Sequence, residues 1–308
     1  MKRNIIFSAI ILPLVCSCNG FLEESTSIDY EAAPQEICST AFVGVQTKVA
    51  ITGTAFPTNR NFHLSSYFNG ANGDTSKDYF KDIAFSYSSS SWKASSPKYW
   101  PLSGTLDFLA VSSEQSTYPT LEWNSTNSTS DVTVTLPDNS DTQDDILVAC
   151  AAGKSYTASL PLAFQHIESL IAFTVKGTTA VKINSITLDS HKTAGSCKVT
   201  RSNGTLTPAW TPSGDGKTKA ITVSGGQTLT DSASEFSDSY LVVPQAGVGF
   251  TINYTCDGLT VSYHVAAPVA TWEAGKKYTY SIDLTLDEIL VTASVTDWAT
   301  GGSEDVAI

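Results

Sequence analysis

The chain has 308 residues, a formal net charge of −12 at neutral pH and 16% charged residues, below the roughly 25% of ordinary soluble domains. Because an acidic chain repels phosphate backbones, the charge argues against nucleic acid as a partner. A chain of this length exceeds what one hydrophobic core usually fills, so we expect two folded domains.

The N-terminal segment has the features of an export signal. Two cations precede an apolar run at 5–15, which is too short to span a bilayer as a helix. The next residues, Val-Cys-Ser-Cys at 15–18, resemble a bacterial lipobox, and their spacing excludes a thioredoxin-type CxxC pair. We predict a signal peptide over 1–17, cleavage between Ser17 and Cys18, and acylation of Cys18 as a membrane anchor. A plain secretory signal is the alternative.

The rest of the chain alternates apolar and polar residues with period two, and helical periodicity is nearly absent. The first clear strand, VQTKVAITG at 45–53, has its apolar residues on one face. Similar short strands continue to residue 298, separated by connections rich in turn-forming residues, such as those at 88–97 and 124–130. This pattern favours an all-β protein built of antiparallel β-sandwiches.

The clearest hairpin lies at 250–265. Asp257-Gly258 is a dipeptide preferred in a two-residue type I′ turn, and such a turn places Cys256 opposite Leu259 at the first pair of the hairpin. The apolar residues of both strands then share one face. We expect that face to meet a core and the opposite face to meet water.

We place the boundary between the two domains near residue 157, between the apolar run DILVACA and the next strand. The predicted organisation is therefore a signal peptide at 1–17, an N-terminal β-sandwich at 18–157 and a C-terminal β-sandwich at 158–308.

Four cysteines follow the predicted anchor, namely Cys38, Cys150, Cys197 and Cys256. Export permits disulfides, but four cysteines allow three connectivities and the spacing favours none. Buried thiols and a single disulfide are equally open, whereas zinc binding is not expected without a CxxC pair.

Sequence signatures of catalysis and of metal binding are missing. The stretch GDGKT at 214–218 lacks the first glycine of a phosphate-binding loop, the histidines do not pair at metal-ligand spacing, and no GxSxG motif occurs. His166 is interpreted as a structural hydrogen-bonding residue. The aspartates of 138–145 lack calcium-loop spacing and indicate a solvated turn. We predict no catalytic residue, cofactor or metal, although paired carboxylates for sugar hydrolysis depend on distances that sequence leaves open.

Several segments, in their order along the chain, resemble the fimbrillin-like proteins of the Bacteroidales, the subunits of type V pili. The segments are TGTAFPTNRNF, YWPLSGTLDFLAVS, DILVA, LPLAFQHIESLIAFTV, YLVVPQ, WEAGKKYTYSIDL and VTASVTDW. They extend from about residue 45 to residue 298, and their order after a lipobox carries the resemblance, since no single motif is specific. The resemblance implies two transthyretin-like antiparallel β-sandwich domains in tandem and export to the cell surface as an outer-membrane lipoprotein.

The resemblance also implies maturation by proteolysis and assembly with other pilus subunits by strand exchange. In the family the removed segment carries the first strand and ends at an arginine. Here 45–53 is that strand, and Arg60, followed by Asn61, is that arginine. A sandwich lacking one strand exposes unpaired backbone groups over an open core, so the strand would protect the monomer until a strand of another subunit replaces it. The alternative is that Arg60 is an ordinary loop residue.

The C-terminal stretch 289–298 is the candidate donor strand. Its apolar residues occupy alternate positions at Ile289, Val291, Ala293 and Val295. Ten extended residues reach about 33 Å, enough to fill a groove of sandwich length, and a head-to-tail contact of this kind builds a filament. The alternative is that this strand completes its own domain.

We therefore interpret the protein as a non-enzymatic pilus subunit or pilus-related adhesin. Its partners would be other pilus subunits, the outer membrane through its lipid, and ligands on host or bacterial surfaces. The second hypothesis is a monomeric surface lipoprotein that binds glycans through exposed tryptophans. The chain has six tryptophans in total. Most of these lie beside predicted strands, where tryptophan commonly packs in a core, so the pilus interpretation is preferred.

Overall fold

The computed structural model describes the residue ranges 34–43, 54–70, 77–113, 129–135, 144–202, 205–236, 239–285, 288–298 and 303–306. Within these ranges all regular structure is β-strand, which confirms the all-β prediction. No helix in this part of the chain is long and apolar enough to cross a membrane. The predicted signal peptide 1–17, the cleavage site at Ser17 and Cys18, and the predicted strand 45–53 lie outside the described residues.

Nineteen strands are present in the described ranges. In chain order they are β1 Cys38–Val43, β2 Thr54–Ala55, β3 Phe62–Asn69, β4 Lys77–Ser88, β5 Ser91–Ala94, β6 Thr105–Ser112, β7 Thr129–Thr135, β8 Leu147–Lys154, β9 Leu160–His166, β10 Ser169–Gly177, β11 Val181–Ser202, β12 Thr205–Thr228, β13 Ser234–Glu235, β14 Tyr240–Val242, β15 Phe250–Cys256, β16 Leu259–Val265, β17 Lys276–Leu284, β18 Ile289–Asp297 and β19 Ser303–Val306.

The first sheet closes on itself. Its strands follow the order β2-β1-β5-β4-β3-β6-β8-β9, and β1 also pairs in parallel with β9, Ser39–Val43 against Leu160–Phe164. On its other side β1 pairs with β5 near its start and with the short β2 near its end. Strand β1 therefore fills the gap between β5 and β9, which we call the seam.

An aromatic cluster fills the interior of the first sheet. The ring centroids of Phe56 and Phe164 lie 4.6 Å apart, those of Phe62 and Phe85 lie 5.4 Å apart, and Trp92 lies 5.6 Å from Phe56. All five side chains are buried, and aromatic pairs at such distances stabilise by about 0.5–1.5 kcal/mol beyond their area burial. Because Phe56 precedes Arg60, the segment ahead of Arg60 contributes to this core.

Two further sheets enclose a second core. One contains β10, β13, β14, β17, β18 and β19, and the other contains β7, β11, β12, β15 and β16. Their facing residues, including Phe173, Phe250 and Tyr280, form one buried cluster, so this half is a two-layer β-sandwich. The expectation of purely antiparallel pairing is wrong, because β10 pairs in parallel with β17 and β1 in parallel with β9. Period-two alternation identifies strands but carries no information about the direction of a neighbour.

The predicted hairpin is present with the predicted register. Asp257 and Gly258 have φ values of 49° and 77°, as a type I′ turn requires, and Cys256 pairs with Leu259. The expectation that the whole apolar face meets a core is wrong for β16, where Leu259 and Tyr263 are exposed. Strand β16 is the last strand of its sheet, and of its residues only Val265 packs against the second core.

A long hairpin, β11–β12, joins the two halves. It belongs to the second half, but its distal residues Cys197 and Val199 lie in a third buried cluster with Leu109 and Val148 of the first sheet. The described residues from Gln35 onward accordingly form one compact unit. An ion pair of 2.6 Å between Arg201 of the hairpin and Asp107 of β6 reinforces this contact.

The chain passes from the first sheet to the second half between β9 and β10, at residues 166–169. The predicted boundary near 157 lies one strand earlier, since Leu160, Leu162 and Phe164 of β9 are in the first core. Each half has a core of its own. The division into domains at 18–157 and 158–308 stays a prediction.

The four cysteines in the described ranges are all reduced thiols. Cys197 is fully buried in the cluster that joins the two halves. Burial raises the pKa of Cys150 to about 11, against the opposing effect of the nearby Arg201. Cys38 and Cys256 are half-buried.

We expect Cys150 and Cys197 to resist alkylation in the folded protein. The thiolate is the nucleophile, so the raised pKa of Cys150 and the full burial of Cys197 both slow the reaction. Iodoacetamide at about pH 8 should modify Cys256 at least about tenfold faster than either one, as read for each residue by peptide mass spectrometry. Labelling in urea is the control, in which the three rates should converge; equal rates in the folded protein would contradict the expectation.

Candidate functional site

Arg60, the predicted cleavage residue, lies in the short loop between β2 and β3. Its backbone N–H donates to the carbonyl oxygen of Pro57 at 3.0 Å. Its side chain is only 9% exposed. Nε donates to Ser112 Oγ at 2.8 Å, one terminal nitrogen donates to the backbone carbonyl of Asp145, and the other lies 3.6 Å from the Asp145 carboxylate. Arg60 thus lies in a loop, as the alternative interpretation of an ordinary loop residue expected. Its side chain, however, is bound to Ser112 and Asp145.

The two residues that flank the cleavage bond, Arg60 and Asn61, both have their backbone carbonyl groups in hydrogen bonds. Trp92 Nε1 donates to the Arg60 carbonyl at 3.4 Å, and Ser112 Oγ donates to the Asn61 carbonyl at 2.7 Å. Asn61 is exposed, whereas the next residue, Phe62, is fully buried. Cleavage after Arg60 therefore requires local opening of the structure, because a protease must draw this segment into its own cleft.

Asp145 connects Arg60 to His166 and Trp298. The Asp145 carboxylate lies 2.7 Å from His166 Nδ1, and the His166 side chain is only 10% exposed. The indole of Trp298 stacks on the imidazole, with ring centroids 3.6 Å apart and planes 8° apart. His166 is therefore a structural hydrogen-bonding residue, as interpreted from the sequence, and Trp298 covers one face of its ring.

Glu168 is a buried carboxyl group two residues beyond His166. Its Oε2 accepts a hydrogen bond from the backbone N–H of Ile146 at 3.3 Å, while Oε1 has no hydrogen-bond partner. Burial, reinforced by the negative charges of Asp145 and Asp144, raises the pKa of Glu168 well above its usual value. The carboxyl group is therefore protonated and neutral under conditions in which surface glutamates are charged.

Backbone hydrogen bonds tie Trp298, which directly follows β18, to the same place. Trp298 N–H donates to the Gly275 carbonyl at 2.9 Å, and Gly275 N–H donates to the Glu168 carbonyl at 2.8 Å. Gly275 has a φ of 70°, a conformation that glycine adopts without steric cost. On the other side, Trp210 Nε1 of the long hairpin donates to the Ile167 carbonyl at 2.6 Å.

We call Arg60, Asp145, His166, Glu168 and Trp298 the junction cluster. It joins the loop before β3, the entry to β8, the passage from β9 to β10 and the end of β18. Nothing in the spacing of these residues along the sequence indicated that they meet, since 85 positions separate Arg60 from Asp145. The only sequence signal was that each lies in one of the segments carrying the fimbrillin-like resemblance or directly beside one.

The candidate donor strand is part of the chain's own second half. Strand β18 pairs with β17 from Ile289 to Asp297 and with β19 on its other side. Ala293 is buried, and Ile289, Val291 and Val295 pack half-buried against the second core. The four residues therefore share an inward face, as their alternation predicted, but within one chain. Strand β1, at Cys38–Val43, is the described occupant of the seam.

The other predicted features are only partly described. No group of three or more potential ligands for a metal ion occurs among the described residues; Asp138 and Asp141 lie outside them, and Asp144 accepts a hydrogen bond from Ser113. The expectation of a merely solvated turn is wrong for Asp145, which is bound to Arg60 and His166. Of the tryptophans, Trp92, Trp100 and Trp272 are buried, Trp210 and Trp298 are half-buried, and Trp123 is not described.

A family described as fimbrillin-like matches the sequence over residues 47–298. The chain belongs to the fimbrillin-like family. The resemblance of the segments along the sequence is thereby confirmed, and those segments include or adjoin every member of the junction cluster. No curated protein matches this fimbrillin-like sequence.

Solved structures with a similar fold are also known. A putative cell adhesion protein from Bacteroides uniformis has 18% identity and a TM-score of 0.55, covering 86% of this chain and 99% of its own. A putative cell adhesion protein from Bacteroides ovatus has 18% identity and a TM-score of 0.53, covering 88% and 100%. A fimbrial protein from Bacteroides vulgatus has 12% identity and a TM-score of 0.52, covering 85% and 99%. At these identities the likeness shows a shared fold.

Replacement of Glu168 by Gln should remove a pH dependence of stability. The pKa of Glu168 is raised in the folded state and is about 4.3 in an unfolded chain. Stabilisation from such a group is complete below the unfolded pKa and is lost as the pH rises through the folded pKa. The unfolding free energy of the wild type, relative to Glu168→Gln, should therefore fall by about 1.4 kcal/mol per pH unit within this window.

Urea denaturation over a pH series measures this difference. The exposed Glu273 supplies the matched control, because Glu273→Gln should keep the slope of the wild type. Parallel stability curves for the wild type and Glu168→Gln would contradict the assignment of a protonated Glu168.

Proposed function

We propose that this fimbrillin-like chain is a non-enzymatic pilus subunit or pilus-related adhesin that assembles with other subunits by strand exchange. The observation that carries the proposal is that β1, which precedes Arg60, closes the seam of the first sheet. In this proposal the two halves are the tandem transthyretin-like sandwich domains, and Cys18 carries the lipid that anchors the protein in the outer membrane. Surface ligands on host or bacterial cells are its further partners.

Cleavage after Arg60 would open the first sheet. The released segment contains β1, β2 and the buried Phe56. Its loss leaves the edges of β5 and β9 without their neighbour and exposes the aromatic core between them. Unpaired strand edges over an apolar core recruit another strand, so a trimmed subunit is an acceptor.

The sequence of β18 supports it as the strand that enters the seam. Residues 37–43 read ICSTAFV and residues 289–295 read ILVTASV. The inward residues of the first segment are Ile37, Ser39, Ala41 and Val43, and those of the second are Ile289, Val291, Ala293 and Val295. In the same chain direction, β18 of another subunit therefore offers a matching isoleucine, alanine and valine at three of the four inward positions of the segment 37–43.

The alternative of a monomeric glycan-binding lipoprotein receives less support. Its sequence basis was a set of tryptophans able to stack on sugar rings, and three of the five that are described are buried. The other two take part in the contact between the halves, Trp210 through Ile167 and Trp298 through His166.

An arginine-specific protease should convert the purified protein into a species that begins at Asn61. Because the seam is then open, this species should form ladders that resist mild SDS, whereas the untreated protein stays monomeric. The Arg60→Gln variant is the control and should yield neither the trimmed species nor ladders. An untrimmed monomer that binds a glycan array would instead favour the alternative function.

A synthetic peptide of residues 289–298 should stop the growth of these ladders when added in excess during proteolysis. The peptide competes for the open seam because it presents the inward residues of β18 at alternate positions. A peptide in which Ile289, Val291, Ala293 and Val295 are replaced by Ser is the matched control and should leave the ladders unchanged. Equal inhibition by both peptides, or by neither, would contradict the assignment of this strand as the donor.

A further inference from the structure

We propose that Trp298, directly after β18, is a latch on the maturation site: cleavage after Arg60 is slow while β18 stays in its own sheet and becomes faster when β18 leaves it. The inference rests on the proposed maturation after Arg60 and adds its regulation. The latch is Trp298, which holds His166 and Asp145 in the arrangement that binds the Arg60 guanidinium.

The first step of the argument concerns Arg60 itself. An arginine-specific protease must take the guanidinium into its own pocket, but here that group is bound to Ser112 and to both the carbonyl and the carboxylate of Asp145. When opening and closing are fast, proteolysis follows the population of the open form. Any group that stabilises the bond between Asp145 and Arg60 therefore slows cleavage.

The second step links Asp145 to Trp298. His166 Nδ1 lies 2.7 Å from one carboxylate oxygen of Asp145, while the other oxygen faces Arg60. Trp298 covers the imidazole face at a centroid distance of 3.6 Å. Exclusion of water from these groups lowers the local dielectric constant and strengthens the contacts of Asp145 with His166 and with Arg60.

The third step links Trp298 to the strand. Trp298 directly follows Asp297, the last residue of β18, and its N–H donates to the Gly275 carbonyl at the start of β17. Lys276 of β17 pairs with Asp297 in the strand register and through their side chains, Nζ to Oδ1 at 2.5 Å. Separation of β18 from β17 breaks these contacts and removes the indole from His166.

The latch gives assembly an order. A subunit whose β18 is docked keeps its Arg60 bound and its seam closed. Donation of β18 to a neighbour uncovers His166, loosens Arg60 and permits the cleavage that opens the seam. Subunits that have become donors would then become acceptors faster than free monomers, which favours growth at chains already joined to another subunit.

The test measures cleavage by an arginine-specific protease at two bonds of the same protein. The rate of cleavage after Arg60 measures the effect of the latch. The rate of cleavage after Arg201, in the long hairpin, measures opening of the structure elsewhere. Trp298 packs on the cluster that contains Cys197 and Val199 of the hairpin, so Trp298→Ala can affect both bonds, but it should accelerate the first cleavage about three- to tenfold more than the second. Trp298→Phe, which retains an aromatic ring on His166, should restore the wild-type rate.

A double-mutant cycle separates the latch from simple destabilisation. Asp145→Asn should accelerate cleavage after Arg60 by itself, and the double variant Trp298→Ala/Asp145→Asn should be no faster than Asp145→Asn, because Trp298 acts through Asp145. Phe236→Ala is the matched control: it removes a buried aromatic ring from the second core and should leave the ratio of the two cleavage rates unchanged.

The outcomes distinguish the latch from the proposed maturation. Cleavage after Arg60 at the same rate in the wild type and in Trp298→Ala would overturn the latch alone. Equal acceleration at Arg60 and Arg201, or multiplicative effects in the double variant, would also overturn it. If none of the proteins, including Asp145→Asn, is cut after Arg60, both the proposed maturation and the latch fail.

Discussion

The structure depends on burying the connection between its two halves while pairing the polar groups of that connection. Residues 166–169 run between two cores, and a buried backbone group without a partner costs about as much as a lost hydrogen bond. Their partners come from three distant places: Ile146 before β8, Trp210 on the long hairpin and Gly275 before β17. Glu168 Oε1 has no partner, and protonation of this carboxyl group lowers the cost of burying it.

The need for hydrogen-bond partners at residues 166–169 explains why several segments that carry the fimbrillin-like resemblance meet at this place. The passage AFQHIES supplies the connection, WEAGK supplies the turn with Gly275, and VTDW brings Trp298 to the end of β18. Each segment alone reads as an ordinary strand end or turn. Together they connect the end of β18 to the loop that contains Arg60, since Trp298 stacks on His166, His166 contacts Asp145, and Asp145 binds Arg60.

The first sheet and the second half differ in whether they leave a strand edge unpaired. The first sheet places β1 in its seam, and a closed sheet has no edge to template association. The second half leaves β16 at the end of its sheet with Leu259 and Tyr263 exposed, and it holds β18 by pairing with β17 and the four-residue β19. The segment that contains β1 and β2 also contributes Phe56, which is buried in the aromatic core of the first sheet.

Local chemistry in the sequence indicated strands such as β18, their inward faces and the hairpin register, but not β1, which precedes the first predicted strand. Alternation identified Ile289, Val291, Ala293 and Val295 as one face, and Asp257-Gly258 specified its turn, because strand period and turn type depend on residues close together in the chain. Only the tertiary structure decided which sheet β18 completes, that β1 runs parallel to β9, that β16 remains uncovered, and that Arg60 is bound by Asp145. These outcomes depend on contacts between residues far apart in sequence, whose energies arise only when the cores form, so no local pattern encodes them.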